Sequence, residues 1–498
     1  MGYLLGYDVG SSAVKAALVD MESGSPVGTA VSPADELPIQ APRPGWAEQD
    51  PRLWWTHVVS ATRELAAAQP AALRDVKAIG LSYQMHGLVL VDHALQVLRP
   101  AILWCDSRAV EIGHHAFREL GAAACMRRLL NSPGNFTASR LKWVKDNEPD
   151  VFARVHRVLL PGDYVALRMT GEAATTSTGL SEAILWDYAE HGPAQMVLSH
   201  YGIPASYIPP RVPVFSVQGL LRPDAAAELG IPARIPLGYR GGDQPNNALA
   251  LNVLEPGEMA ATAGTSAVIF AVSDTPRPDE HMRVNTFLHV NHQRRRPRYG
   301  TLLCVNGAGS LYRWLRHTVM APGTDYAGMN RMAASAPIGA DGLSMLPFGN
   351  GAERLLQDRV TGGALQALDF NRHTRAHLLR AAQEGIVFAL HHGLGAMRSL
   401  GLESRVTRAA AANLFLSPLF CSAFATLTDT RLELYDTNGA QGAASAAGLG
   451  AGMYRDTAEA LRSLQPVRVI EPEAGAFPEY REAYERWCSA FDVQDLVL

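Results

Sequence analysis

One short pattern occurs twice in this chain, about half the chain apart. Gly10-Ser11-Ser12-Ala13-Val14-Lys15-Ala16-Ala17-Leu18-Val19-Asp20 and Gly264-Thr265-Ser266-Ala267-Val268-Ile269-Phe270-Ala271-Val272-Ser273-Asp274 share their spacing. Gly, Ser, Ala, Val, Ala and Asp coincide, and Ser11/Thr265 and Leu18/Val272 are near-matches. Each copy reads as a tight turn running into a strand. Hairpins use few residue types, so chance similarity is one reading. The preferred reading is a duplicated domain, with one hairpin from each half facing a shared cleft. Size agrees, since 498 residues exceed what one hydrophobic core serves.

The two turns also carry chemistry. Glycine amides and Ser/Thr hydroxyls in one concavity suit phosphate oxygens. Asp8 precedes the first turn and is a candidate Mg²⁺ anchor, whereas Ala261-Thr262-Ala263 precedes the second and offers no carboxylate. Two phosphate-facing turns and one metal carboxylate make half of a phosphoryl-transfer site. The chain contains no GxxxxGK[ST] and no GxGxxG after the first strand, so neither a P-loop nor a dinucleotide fingerprint is expected.

Composition excludes other classes. Hydrophobic residues make up 47% and charged residues 18%, which reads as globular. A net charge of −4 gives no electrostatic case for nucleic acid or an acidic membrane. The five cysteines show no CxxC spacing, which argues for a reducing cytoplasm rather than a zinc site or disulfide framework. The opening MGYLLGYDVG lacks a basic signal-peptide region, and no apolar run approaches the ~18 residues that span a bilayer. Asn135-Phe136-Thr137 matches a glycosylation acceptor but is discounted without a secretion signal.

A second stretch, LGYRGGDQPNNALAL (237–251), places Asp243 directly after Gly241-Gly242 and before a helix-like run. Such a carboxylate can take a proton from a bound hydroxyl, or it can simply cap a helix. Taken in order, residues 44–55 predict a turn into a helix capped by Asp50-Pro51. Residues 76–100 predict two strands around Gln84-Met85-His86-Gly87, a loop where packing is the default role. The segment ILWCDSR holds Trp104, Asp106 and Arg108, whose acid–base pair is either a local salt bridge or a sugar contact. Residues 158–171 predict a strand, a Pro-Gly turn and a short helix stopped by Gly171. Helices are predicted over 310–336 and 372–400, the latter with apolar Ile386, Phe388, Leu390 and Leu394. Residues 403–416 predict a strand entering a small-residue turn. Residues 431–451 predict a strand, an Asn438-Gly439 turn and a small-residue helix that serves either close packing or nucleotide approach.

These segments together resemble the FGGY family of carbohydrate kinases, and within it the xylulokinase branch. The likeness rests on GYDVGSSAVKAAL, WAEQDP, QMHG, ILWCDSR, LPGDYVALRMTGE, GGD with Asp243, and TAGTSAV, in family order over nearly the whole chain. It implies an α/β fold of two ribonuclease-H-like domains of the actin and sugar-kinase superfamily with a cleft between them. The expected domains are 1–248, binding sugar and carrying the catalytic Asp, and 249–498, binding nucleotide. The implied reaction is ATP-dependent phosphorylation of a ketopentose, D-xylulose first. Asp243 is implied as catalytic base and Asp8 as the Mg²⁺-associated aspartate. Gly10, Ser11 and Ser12, and Gly264, Thr265 and Ser266, are implied as the phosphate turns. Met85 and His86 match the sugar-contacting pair, where glycerol kinases carry Arg-Glu. Trp104, Asp106 and Arg108 fall near the sugar pocket. The implied ligands are ATP, Mg²⁺ and a small sugar, with no nucleic acid and no membrane. Family habit suggests a homodimer.

Three departures qualify the likeness. Gln244-Pro245-Asn246-Asn247 follows the catalytic position where xylulokinases carry Asn-Ala, so Gln244 would contact the sugar and could shift the preferred epimer. The adenosine region reads Arg408-Ala409-Ala410-Ala411-Ala412-Asn413 instead of a glycine run, with Ala411, Ala412 and Asn413 at the nucleotide and a short insertion before Ser417. Each lost glycine adds a Cβ where adenine approaches. Third, GERTP is reduced to Gly351-Ala352-Glu353-Arg354-Leu355, expected to lie outside the chemistry. The alternatives are a kinase for L-ribulose, L-xylulose, a deoxyketose or another polyol and, behind it, a decayed kinase that senses sugar or nucleotide.

Overall fold

The structure, a computed structural model, describes residues 2–496. It divides into two compact units. The first contains the chain up to Leu254, with Phe287–Tyr299 and Thr437–Leu464; the second contains Glu255–Thr286, Gly300–Asp436 and the chain from Gln465.

The first unit is built on a five-stranded mixed sheet. Its strands are β1 (Tyr3–Val9), β2 (Val14–Asp20), β3 (Pro26–Ser32), β4 (Val76–Tyr83) and β5 (Leu237–Gly242), in the order β5-β4-β1-β2-β3. The β1/β2 and β2/β3 pairs are antiparallel, and β4 lies parallel to both β1 and β5. Strands β1, β4 and β5 are buried almost throughout, as central strands covered on both faces are. The helix Pro51–Ala68 packs on β2 and β3, burying Trp54, Val58 and Leu65. Asp50 caps it as expected, accepting from the Arg52 amide at 3.0 Å.

The opposite helix, Gly439–Gly450, packs on β1, β4 and β5. A Cβ at Gly6 would lie 1.9 Å from the Ala440 carbonyl oxygen, and one at Gly80 would lie 2.0 Å from that of Ala443. Glycines on the strands and small residues on the helix are therefore one packing device: the backbones approach too closely for side chains. Of the two roles open to this small-residue helix, close packing is the one seen along its length.

The second unit holds a seven-stranded sheet. Its strands are β6 (Met259–Ala263), β7 (Ala267–Ser273), β8 (Asn285–Leu288), β9 (Tyr299–Val305), β10 (Val406–Ala410), β11 (Arg431–Tyr435) and β12 (Pro466–Ile470), in the order β8-β9-β7-β6-β10-β11-β12. β6 and β7 form an antiparallel hairpin, β10 lies parallel to β6, and β11 lies parallel to β10. The inner run β11-β10-β6-β7-β9 thus repeats β5-β4-β1-β2-β3. The duplicated sequence occupies the same hairpin of each sheet, β1/β2 and β6/β7. Each unit is the mixed α/β, ribonuclease-H-like layer that the repeat and the resemblance led us to expect.

Helix Arg375–Ser399 forms the centre of the second unit's core, with Ile386, Phe388, Leu390 and Leu394 all buried. The continuous helix expected over 310–336 is instead two, Ala308–Thr318 and Tyr326–Ala334. Pro322 and Gly323, the latter at φ 84°, separate them. Asp325 then caps the second, accepting from the Gly328 amide at 2.8 Å. No helix among the described residues is long and apolar enough to cross a membrane.

Candidate active site

Strands β1, β4 and β5 run parallel, so their carboxyl ends lie on one edge of the first sheet, where α/β sheets bind ligands. Asp8 pairs in register with Ser82, and Gly242 with Tyr83. That register brings Asp8, Ser82, the Met85-His86 loop and Asp243 to one place. Helix Asp243–Ala250 starts at Asp243 itself; the cap position is Gly242, and no side chain caps the helix. The helix-cap role left open for Asp243 is therefore not the one it takes. Burial pushes the Asp243 carboxyl up to about 7, the Asp8 charge adds to this, and hydrogen bonds from Gln244 partly oppose it.

Asp8 is held from one side. The Ser82 hydroxyl donates to Oδ1 at 2.8 Å. On the other side a Cβ at Gly439 would lie 2.8 Å from Asp8 Oδ2 and 3.1 Å from Asn247 Oδ1. The Asn246 amide fixes this helix start by donating to the Gly439 carbonyl at 2.9 Å. Two hard oxygen donors, Asp8 Oδ2 and Asn247 Oδ1, therefore face a cradle that any side chain at 439 would fill. Mg²⁺ prefers one or two protein oxygens, with waters and phosphate oxygens completing its shell, so these residues fit it.

The expected sugar-side residues divide into two groups. Met85 is buried against the face of Gly242. His86 takes a left-handed backbone (φ 63°), and its Nδ1 lies 2.9 Å from the Glu182 carbonyl. A carbonyl only accepts, so Nδ1 carries the proton. Phe136 and Phe287 flank the ring at 4.9 and 5.4 Å between centroids. Trp104 is half-buried, as is Gln244 beside Asp243. Asp106 and Arg108, expected to reach the sugar, are instead committed to each other and to the scaffold. Asp106 accepts from the Ala47 amide at 2.6 Å and pairs with Arg108 at 2.7 Å; Arg108 also pairs with Glu48 at 2.7 Å and stacks 3.7 Å over Trp46. Both side chains are almost fully buried, so the local salt bridge is the role they take.

Sequence reasoning missed Arg140. It is fully buried and donates to the carbonyls of His86, Trp104 and Asp106, tying the His86 and Trp104–Asp106 loops to one guanidinium. Burial lowers its pKa to about 10. Its neighbours in ASRLKWV give no local signal, because the three acceptors are backbone carbonyls 34 or more positions away. Glu182, a buried acid beside the loop, was missed because the residue it meets, His86, is 96 positions away.

The two turns expected to meet phosphate belong to different units. Gly10, Ser11 and Ser12 close the β1/β2 hairpin, with the Gly10 amide donating to Ala13 at 3.0 Å. Gly264, Thr265 and Ser266 close β6/β7, and the Ser310 amide donates to the Thr265 carbonyl at 3.0 Å. A Cβ at Gly264 would lie 3.6 Å from Asn413 Nδ2, so the second turn and the adenosine candidate are neighbours. Ala411 and Ala412 are half-buried, and Ala412 is extended (φ −146°). The one left-handed residue there is Asn413 (φ 54°), so the missing glycines leave no strain. The altered GERTP segment is closer to this turn than expected. Buried Glu353, pushed up to about 8 by desolvation, accepts from the Asn306 amide at 3.0 Å, at the start of the helix that carries Ser310.

Residues 3–250 match the N-terminal domain of the FGGY family of carbohydrate kinases, and residues 259–451 match its C-terminal domain. A xylulose kinase of Bacillus subtilis (strain 168) is 30% identical over 97% of this chain and 96% of its own. The L-xylulose/3-keto-L-gulonate kinase of Escherichia coli (strain K12) is 29% identical over 97% and 96%. Among solved structures, a xyloylose kinase from Brucella ovis superposes with a TM-score of 0.88 at 30% identity, covering 100% of both chains. With a repeated ribonuclease-H-like sheet, paired aspartates at its carboxyl edge and both family domains matched in order, the chain belongs to the FGGY family of carbohydrate kinases.

Proposed function

We propose that this kinase transfers the γ-phosphoryl group of ATP to a primary hydroxyl of a ketopentose, D-xylulose before others. The observation that carries this reading is the pair Asp8 and Asp243. One carboxylate shares a cradle with the Asn247 amide oxygen, and the other is held at about 7 at a helix start. Asp243 takes the proton of the attacking sugar hydroxyl. Asp8 with Asn247 holds Mg²⁺, which supplies charge neutralisation for the β- and γ-phosphates. The Gly10–Ser12 and Gly264–Ser266 turns donate to phosphate oxygens as charge builds, and Asn413 lies at the adenosine end. Met85, His86, Trp104 and Gln244 line the sugar. Arg140 and the Asp106–Arg108 pair position those loops without touching it.

The xylulose kinases among the relatives support the ketopentose. The L-xylulose/3-keto-L-gulonate kinase, similar to the same extent, supports a second reading: the same chemistry on another ketose, with Gln244 shifting the preference. ADP release with MgATP alone and with D-xylulose, L-xylulose, L-ribulose, D-ribulose and glycerol separates them. Preference for D-xylulose is expected. Preference for another ketose selects the second reading, and no sugar-dependent release would sink both.

A further inference from the structure

Helix Val110–Leu120 follows on segment 104–108 and carries His115 and Glu119 one turn apart on one face. Helix Gln195–Tyr201 packs against it and brings in His200 from its last turn. His115 Nε2 lies 3.4 Å from Glu119 Oε1, and His200 Nε2 lies 3.6 Å from Glu119 Oε2. The ligating atoms of all three side chains fall within 4.8 Å of one another, and no other three His, Cys, Asp or Glu side chains among the described residues converge so closely. The two separations exceed the about 2.7–3.2 Å of a well-formed N–H···O bond. They fit the edge of a coordination tetrahedron, roughly 3.3–3.4 Å long when ligands stand about 2.0–2.1 Å from a zinc-like ion. The scaffold holds the set without an ion. The His200 side chain is only 18% exposed, the neighbouring Tyr201 hydroxyl lies 2.8 Å from that of Ser139, and Lys145 donates to the Tyr201 and Gly202 carbonyls at 2.8 Å each. The His115 and Glu119 side chains are more than half exposed, so an ion can enter and keep a water.

We propose that His115, Glu119 and His200 bind a late first-row divalent cation such as Zn²⁺, which staples helix Val110–Leu120 to helix Gln195–Tyr201. Two imidazoles and one carboxylate, with water as fourth ligand, suit Zn²⁺. Mg²⁺ takes oxygen donors, so this ion is distinct from the one assigned to Asp8. Its place in the fold gives the consequence. One helix leads out of segment 104–108, and the other ends at Tyr201, which meets Ser139 beside Arg140. An ion that binds the packed helix pair and not the separated helices stabilises the fold around the Arg140-tied loops. The inference uses no step of the reaction and holds whichever sugar the enzyme takes.

The test is calorimetric titration of the full-length protein with Zn²⁺ in excess Mg²⁺ and without chelator, paired with thermal unfolding. Wild type should bind one tight equivalent of Zn²⁺ per chain and gain about 2 °C or more in Tm when saturated, a gain that Mg²⁺ alone does not give. His115→Ala, Glu119→Gln and His200→Ala should each weaken Zn²⁺ binding by at least about tenfold and remove the gain. The first two are surface changes that the fold tolerates, so the test survives if His200→Ala does not fold. His114→Ala is the control: its ring lies toward Glu111, 3.9 Å away, and its Zn²⁺ affinity should match wild type. Wild type that takes up no Zn²⁺, or an affinity unchanged in His115→Ala and Glu119→Gln, would overturn the site. Binding at these residues with no gain in Tm would overturn the staple.

Discussion

The Ser82 hydroxyl donates a 2.8 Å hydrogen bond to Oδ1 of Asp8, and this bond decides which way Asp8 faces. With Oδ1 occupied from the neighbouring strand, Oδ2 points to the start of helix Gly439–Gly450, where it meets Asn247. Parallel pairing of β1 and β4 puts serine and aspartate in register, so the sheet itself orients the proposed metal ligand. The glycine at 439 keeps the space in front of it open.

Gly439→Ala tests that space. The added Cβ would fall 2.8 Å from Asp8 Cγ and Oδ2, closer than such contacts allow, so the carboxylate must turn away. The expected outcome is a rise of about tenfold or more in the Mg²⁺ concentration for half-maximal turnover, the size of losing one oriented ligand. A Mg²⁺ titration of sugar-dependent ADP release measures it. An unchanged half-saturation in a folded variant would show that Asp8 does not meet the ion from this side.

Asp243→Asn removes the proposed base with little change of shape. A general base contributes ~10²–10⁴-fold, so kcat should fall by that range while ATP binding stays near wild type. Turnover and nucleotide titration on one preparation separate the two. Retained turnover would dismiss Asp243 as the base.

The pH dependence follows from the same carboxyl. Burial and the Asp8 charge hold Asp243 at about 7, and a base works only when unprotonated. Hence kcat/KM for the ketose should rise with pH and level off above about 7, with the limb moving to lower pH as Mg²⁺ offsets the Asp8 charge. Stability has the opposite sign. The folded carboxyl keeps its proton up to about 7, while the unfolded one loses it near 3.8, so its contribution declines as pH rises between those values. Asp243→Asn should therefore gain Tm relative to wild type at pH 8 and not at pH 4. Equal Tm differences at both values would contradict the assigned shift.

Much of this was legible in the sequence because it is local. The two hairpins share a turn chemistry, and turn chemistry is written in adjacent residues: Gly10-Ser11-Ser12 and Gly264-Thr265-Ser266 both close the hairpins predicted for them. Asp243 after two glycines, Asp50-Pro51 before a helix and Asn438-Gly439 at another are signals of the same kind. What adjacency does not encode is pairing across the chain. Whether Asp106 and Arg108 face sugar or each other depends on Glu48 and Ala47, far back in the sequence. The break at Pro322-Gly323 is by contrast local: a proline followed by a glycine at positive φ ends the first helix.

The least legible residue is Arg140, and its test follows from that. It is fully buried, and its guanidinium spans the carbonyls of His86, Trp104 and Asp106. A lysine has one compact ammonium and does not bridge three acceptors in a plane. Arg140→Lys should therefore lose about 2–4 kcal/mol of stability, the scale of leaving buried partners unsatisfied beside a charge. The two loops it joins would move independently, so KM for the ketose should rise while KM for ATP holds. Denaturant unfolding with steady-state kinetics checks both. A destabilised variant with unchanged sugar KM would show that Arg140 supports the fold of the first unit without setting the geometry of the His86 loop.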